Sequence, residues 1–139
     1  MSVGRICCRE VQLAGANETV LAAARRIGEQ RVGTLLVLNE GKEPIGLITD
    51  RDLVLRVVAT GKAPQTTRVE EIMTREPKVI REDSPIEAAL GLMRAGSFRR
   101  LPVVNQAGQL VGILSLDDVL ALLAEEFAHI GRVVEQRKR

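Results

Sequence analysis

Shifted against itself by 66 residues, the chain aligns residues 3–59 with 69–125 without a gap. Identities fall at Val3/Val69, Ile6/Ile72, Arg9/Arg75, Glu10/Glu76, Ala22/Ala88, Ala23/Ala89, Leu35/Leu101, Val37/Val103, Asn39/Asn105, Gly46/Gly112 and Asp52/Asp118. Apolar positions match almost throughout, as in TLLVLN over RLPVVN and PIGLIT over LVGILS. The chain is therefore a tandem duplication, and any fold proposed for it must be built twice. A unit this short is marginal alone, so two copies that bury their inner faces against each other form a better domain than two independent ones.

Each copy reads as strand, helix, strand, strand, helix. In the second copy, Val79 and Ile80 form a short strand, and Ser84-Pro85-Ile86-Glu87 announces a helix, with Ser84 as N-cap and Glu87 closing a capping box. Ile86, Ala89, Leu90 and Met93 give that helix one apolar face, and Gly96 ends it. Leu101–Asn105 and Leu110–Ser115 are β-branched runs joined by a turn, hence a hairpin. The expected architecture is α+β: two β-α-β-β-α units packed sheet to sheet about a pseudo-twofold axis. The first unit spans 1–60, a linker 61–68, the second unit 69–126, and a helical extension with a basic tail 127–139.

Composition narrows the function. With 45% apolar residues the chain is not disordered, and no apolar run reaches the ~20 residues of a membrane span. It has two Phe, no Tyr and no Trp, which removes the stacking platforms of single-strand nucleic-acid binders. One His and two Cys leave no zinc cluster and little for a His-based triad. Cys7 and Cys8 are adjacent and read as reduced thiols, and the absence of a secretory leader points to the cytoplasm. Of the net charge of +2, the tail from Arg132 to Arg139 carries +3 (four cations against Glu135), leaving −1 elsewhere. A basic tail this short reads first as a solvated helix end and only second as a nucleic-acid contact.

The last strand of each copy ends in Gly46-Leu47-Ile48-Thr49-Asp50-Arg51-Asp52 or Gly112-Ile113-Leu114-Ser115-Leu116-Asp117-Asp118. Thr49 with Asp52, and Ser115 with Asp118, fit a capping box. The same turn also suits a ligand. The glycines allow close approach, a strand delivers a helix N-terminus where an anion could sit, and the acid matches ribose hydroxyls.

The duplication, the order of elements and both turns resemble a tandem pair of cystathionine-β-synthase (CBS) domains, a Bateman module, here a stand-alone one. The resemblance covers residues 3 to about 126. It implies two clefts that bind AMP, ADP or ATP, or else NAD, S-adenosylmethionine or a cyclic dinucleotide, with Mg only where a polyphosphate carries it. It places Leu47, Thr49, Arg51 and Asp52 opposite Phe98, Arg99 and Arg100 in one cleft, and Val32, Gly33 and Thr34 opposite Ile113, Ser115 and Asp118 in the other. The first of these is favoured for a phosphate, because Arg51, Arg99 and Arg100 bring cations whereas Gly33 and Thr34 bring none. Two departures reinforce the choice. Leu36 stands where the second copy has Pro102, and Leu116-Asp117 replace Asp50-Arg51, which adds an acid beside Asp118. One occupied cleft is expected.

Val119, Leu120, Leu123, Phe127, Ile130 and Val134 continue at three-to-four spacing past the repeat, a seam for a second copy of the chain. His129 reads as a helix-surface residue. No nucleophile has a base and an orienter, so catalysis is not expected. The leading reading is a regulatory adenine-nucleotide sensor working as a homodimer or on a partner protein. Its rivals are a ligand-free dimerisation or docking scaffold, and nucleic-acid binding through the tail.

Overall fold

The structure, a computed structural model, describes residues 1–96 and 98–137. In chain order the elements are α1 (Val3–Ile6), α2 (Val20–Gln30), β1 (Thr34–Leu38), β2 (Pro44–Thr49), α3 (Asp50–Leu53) with a π-helical continuation Val54–Val58, and α4 (Val69–Ile72). There follow β3 (Thr74–Arg75), β4 (Ile80–Arg81), α5 (Ile86–Gly96), β5 (Arg100–Val104), β6 (Leu110–Ser115) and α6 (Leu116–Arg137). This is the α+β pair of repeats with a long last helix that the sequence implies.

Each repeat contributes an antiparallel hairpin, β1 with β2 and β5 with β6, in matching register: Leu36 lies opposite Leu47 and Pro102 opposite Ile113. Asn39 and Asn105 account for the shared turn, since their Oδ1 atoms accept from the N–H of Glu43 and Gln109 at 2.9 and 3.0 Å. The short first strand lies one residue later than expected in the second copy and shrinks to a bridge in the first. It is β4, parallel to β5, in the second copy, and the single bridge Leu13–Leu36 in the first.

The sequence reading lacks the leader of each repeat, and the leaders are exchanged. β3, from the second repeat, pairs with β2 of the first, while Cys8 of the first repeat bridges Ile113 of the second. The cores are crossed in the same way. Val69, Ile72 and Met73 pack with Val20, Ala23, Leu35, Val37 and Ile48, whereas Val3 packs with Ile86, Ala89, Leu101, Val103 and Leu114. Arg9 and Arg75 clip the leaders in place, each donating at 2.9 Å to the carbonyl oxygen of Gly4 or Glu70 in the short helix before it.

Leu35 and Val37 face the helices on one side of β1, so Leu36 points to the other side. It is fully buried, as is Pro102, and neither belongs to a helix-packed core. Burial of Leu36 alone contributes on the order of 1.5–3 kcal/mol by its leaving water.

Two helix starts differ in how they are capped. Thr19 caps α2, its Oγ1 accepting from the Ala22 N–H at 3.2 Å. Its counterpart is Pro85, and α5 begins at Ile86, whose N–H donates to the Met1 carbonyl oxygen at 3.2 Å. The Ser84 carbonyl accepts from Val3 N–H instead of Ser84 acting as cap, because the N-terminal segment lies against this turn. Leu90, expected on the apolar face of α5, is partly exposed, while Ile86, Ala89 and Met93 are buried.

Candidate functional site

Both turns are capping boxes. Thr49 N–H donates to Asp52 Oδ2 at 2.9 Å and Asp52 N–H to Thr49 Oγ1 at 3.1 Å, and Ser115 and Asp118 repeat the pattern at 2.9 and 3.1 Å. In the first turn Asp50 N–H donates to the Gly33 carbonyl at 3.1 Å and Arg51 N–H to Asp50 Oδ1 at 2.8 Å. The N–H groups expected to cradle an anion are thus spent, and any phosphate there must be met by side chains. Capping does not exhaust the side chains. Thr49 keeps its hydroxyl hydrogen for donation. Asp52 keeps Oδ1, whose ion-pair partner is Arg56 Nε at 3.7 Å.

The glycines of the two turns serve the crossed leaders and not a ligand. A Cβ on Gly46 would stand 2.2 Å from Met73 Sδ, and one on Gly112 would stand 2.7 Å from the Cys8 carbonyl oxygen. Close approach is required here, as the sequence suggests, but what approaches is the other repeat.

A cavity of about 500 Å3 opens between the repeats, lined by Thr34, Leu47, Thr49, Asp52, Phe98, Arg99, Arg100 and Pro102 together with Thr74, Glu76, Pro77 and Lys78. Of the favoured set, only Arg51 is left outside: it is exposed on α3. Phe98 is seated by Gly96, where a Cβ would collide with the ring at 2.0 Å, so the end of α5 carries an aromatic wall of the cavity.

A smaller cavity of about 270 Å3 brings together all of Val32, Gly33, Thr34, Ile113, Ser115 and Asp118, with Glu10, Arg31, Arg100 and Asp117. Gly33 and Thr34 bring no cation, as expected, but two residues beside them do. The left-handed C-cap of α2 turns Arg31 into this cavity, and Arg100 reaches over Gly33.

Sequence reasoning missed Glu76, Pro77, Lys78 and Glu10. The signal was the identical pair Glu10/Glu76, which neither hairpin, cap nor core accounts for. The difference in cleft size follows from Leu36 and Pro102. Leu36 N–H donates to the Gln12 carbonyl at 3.1 Å and ties residues 11–13 to β1. Pro102 has no N–H to tie residues 77–79 to β5 in the same way, and that segment stands off as a wall of the larger cavity.

Among the described residues no group of three His, Cys, Asp or Glu side chains is placed to hold a metal, and no helix is long and apolar enough to cross a membrane. Burial pushes the Cys7 thiol above its ordinary pKa.

Comparison with known proteins agrees with this architecture. The model of the CBS domain matches residues 3–59 and 69–125. An uncharacterized protein of Methanopyrus kandleri is 38% identical over 120 residues, covering 86% of this chain, which spans 61% of that protein's length. A signal-transduction protein with CBS domains from Burkholderia ambifaria superposes with a TM-score of 0.79 at 29% identity, over 88% of this chain and 93% of the other. The protein CBSX2, solved in complex with AMP, superposes with a TM-score of 0.76 at 27% identity, over 89% and 96%. With both repeats matched by the family model and the overall fold shared with solved relatives, the chain belongs to the CBS-domain family, as a tandem CBS pair.

Proposed function

We propose that the chain is a regulatory module that binds an adenine nucleotide in the larger cleft, without catalysis, and passes the binding on through a homodimer or a partner protein. The observation that carries this reading is the lining of that cleft. Asp52 offers a carboxylate oxygen to ribose hydroxyls, Leu47, Phe98 and Pro102 offer apolar walls to a base, and Thr49, Lys78, Arg99 and Arg100 offer donors to phosphate. AMP, ADP and ATP fit this chemistry best, with NAD and S-adenosylmethionine as further candidates. The AMP complex of CBSX2 supports the ligand class.

Calorimetric titration with AMP, ATP, NAD and S-adenosylmethionine tests it. Heat with an adenine nucleotide is expected, with affinity lowered at least about tenfold in Asp52→Asn and little changed in Asp118→Asn. No heat and no melting shift with any ligand refutes it. Because the chain has no Trp or Tyr, an absorbance maximum near 260 nm in a nucleic-acid-free preparation would also reveal a bound nucleotide.

Exposed apolar side chains support the proposed homodimer. Val54, Leu55 and Val58 on the π-helical turn, and Leu120, Leu123, Phe127, Ile130 and Val134 on α6, all face solvent, and Phe127 is 72% exposed. Val119 is not part of that seam, being buried in the second core. The same face favours the scaffold reading if no ligand binds. A nucleic-acid role for the tail rests on Arg132 and Arg137 and on Lys138 and Arg139, which lie outside the described residues. Sedimentation of Phe127→Glu/Ile130→Glu, expected to run as a monomer, tests the seam.

A further inference from the structure

Position 56 breaks the symmetry of the two repeats. Arg56 follows the first capping turn, and 66 residues on the second repeat has Leu122, which packs against the second core. A leucine there serves packing, whereas the arginine gives that up and engages three polar groups instead. Its Nη1 donates to the Ile72 carbonyl oxygen at 2.8 Å and to Thr74 Oγ1 at 3.3 Å, and its Nε stands 3.7 Å from Asp52 Oδ1. Ile72 and Thr74 belong to the second repeat's leader and Asp52 to the first repeat's turn, so one side chain spans both repeats. Thr74 and Asp52 also line the larger cavity.

The backbone around Arg56 differs between the copies as well. Val54–Val58 forms a π-helical turn, in which the Ala59 N–H donates to the Val54 carbonyl oxygen at 2.9 Å, while α6 runs through the matching positions as regular α-helix. The Arg56 carbonyl oxygen accepts from the Thr60 hydroxyl at 2.8 Å, and the residue matching Thr60 is Glu126. Single π turns occur frequently at functional sites. Here both the main chain and the side chain of Arg56 are fixed.

What Arg56 faces is the oxygen that a ligand in the cavity would meet. The Asp52 side chain is only 16% exposed, and its Oδ2 already accepts from the Thr49 N–H at 2.9 Å. Oδ1 is the remaining acceptor, and with a guanidinium on one side it still has a lone pair for a hydroxyl on another. The two donations from Nη1 set the plane of the guanidinium, so Nε holds Oδ1 in one place and keeps the carboxylate from turning. Asp118 in the other turn has no such hold: among the described residues no cation lies within ion-pair distance of it.

Resting on the nucleotide reading of the larger cleft, we infer that Arg56 is a positioning residue of that cleft, which fixes Asp52 Oδ1 against the second repeat's leader so that ribose is bound in preference to deoxyribose. Arg56 does not itself line the cavity. It acts through Asp52, so only a ligand that uses the Asp52 carboxylate feels its loss.

The test uses the full chain and two probes, AMP and 2′-deoxy-AMP, in calorimetry. Wild type is expected to bind AMP at least about tenfold more tightly than 2′-deoxy-AMP. Arg56→Leu, which imports the residue of the second repeat, is expected to weaken AMP at least about fivefold and 2′-deoxy-AMP by less than about twofold, its fold checked by circular dichroism. Arg56→Lys keeps the charge but cannot span the leader carbonyl and the carboxylate together, and is expected to reduce the preference to within about threefold. In an Asp52→Asn background, Arg56→Leu is expected to cause no further loss of AMP affinity beyond about twofold. An unchanged preference in both Arg56 variants overturns the inference, as does a wild type that binds the two nucleotides equally. Equal loss for both nucleotides also overturns it, since a mere clip between the repeats acts that way, and so does a full further loss in Asp52→Asn. In each of these cases AMP binding by the wild type leaves the nucleotide reading standing. A wild type that binds neither probe overturns both.

Discussion

Replacing Gly112 by Ala tests the crossed leaders most directly. The new Cβ would lie 2.7 Å from the Cys8 carbonyl oxygen and 2.8 Å from Cys7 Sγ, where ordinary contacts begin at 3.4 Å. The Cys7-Cys8 backbone must therefore retreat by about 0.7 Å from β6. It is held there by two hydrogen bonds of 2.9 Å, Cys8 N–H to Ile113 O and Ile113 N–H to Cys8 O. A retreat of that size takes both beyond useful length, at about 1 kcal/mol each. Residual overpacking adds roughly 1–3 kcal/mol. The expected loss is about 3–5 kcal/mol, or roughly 10–20 °C in Tm for a chain of this size. Thermal and urea unfolding followed by far-ultraviolet circular dichroism measure it, since the chain has no Trp to report by fluorescence. Gly46→Ala is the control, because there the obstacle is a side chain: Met73 Sδ at 2.2 Å. In double-mutant cycles Met73→Ala should recover about 1–3 kcal/mol of the Gly46→Ala loss, whereas Cys7→Ala should recover little of the Gly112→Ala loss, the carbonyl being still in place. A Gly112→Ala protein with unchanged Tm, or one fully restored by Cys7→Ala, would refute the argument that backbone approach selects glycine here.

Two further outcomes follow from local geometry. Arg31 (φ +54°) and Lys42 (φ +63°) occupy left-handed positions, and the residue matching Lys42 is Gly108 (φ +84°); Lys42→Gly should raise stability by about 1 kcal/mol in urea unfolding. Glu18 accepts from Arg26 at 2.7 Å and from Gly15 N–H at 2.7 Å, and the Arg26 hydrogen bond, with help from the Gly15 N–H, holds its pKa below the ordinary carboxylate value. Its folded pKa being depressed, its contribution is present above about pH 4.3 and is lost as pH falls through the folded value. Wild type and Glu18→Gln should therefore differ in urea midpoint at pH 7 and converge in acid.

The duplication, the hairpins and the two capping turns were legible because they are carried by local patterns: alternation within a strand, turn residues, a cap at fixed spacing; the rest of the cleft residues named from the sequence came from the family resemblance, and Glu10, Glu76, Pro77 and Lys78 from neither. The leaders were not. Val3-Gly4-Arg5-Ile6 and Val69-Glu70-Glu71-Ile72 are too short to show periodicity, and their partners lie in the other repeat, which no local pattern reports. The same distance hid the reason for Gly46 and Gly112, which read as ligand glycines until Met73 and Cys8 were seen against them. Arg51 failed for a different reason. Thr49 and Asp52 of the same turn line the cavity, but successive residues in a helix point about 100° apart, and Arg51 faces solvent.

The bridge between Cys8 and Ile113 also sets a timetable. At roughly 5–20 residues per second, a ribosome takes on the order of 5–20 s to make the chain between them. The first core is complete once residue 75 has emerged, because everything it needs precedes that point. The second core needs residues on both sides of the first, so Val3, Ile6 and Cys7 wait in solvent while the hairpin that will cover them is still being synthesised. A nascent chain of this protein thus carries a finished first core beside an uncovered apolar leader, and it is the arrival of β6 that retires it.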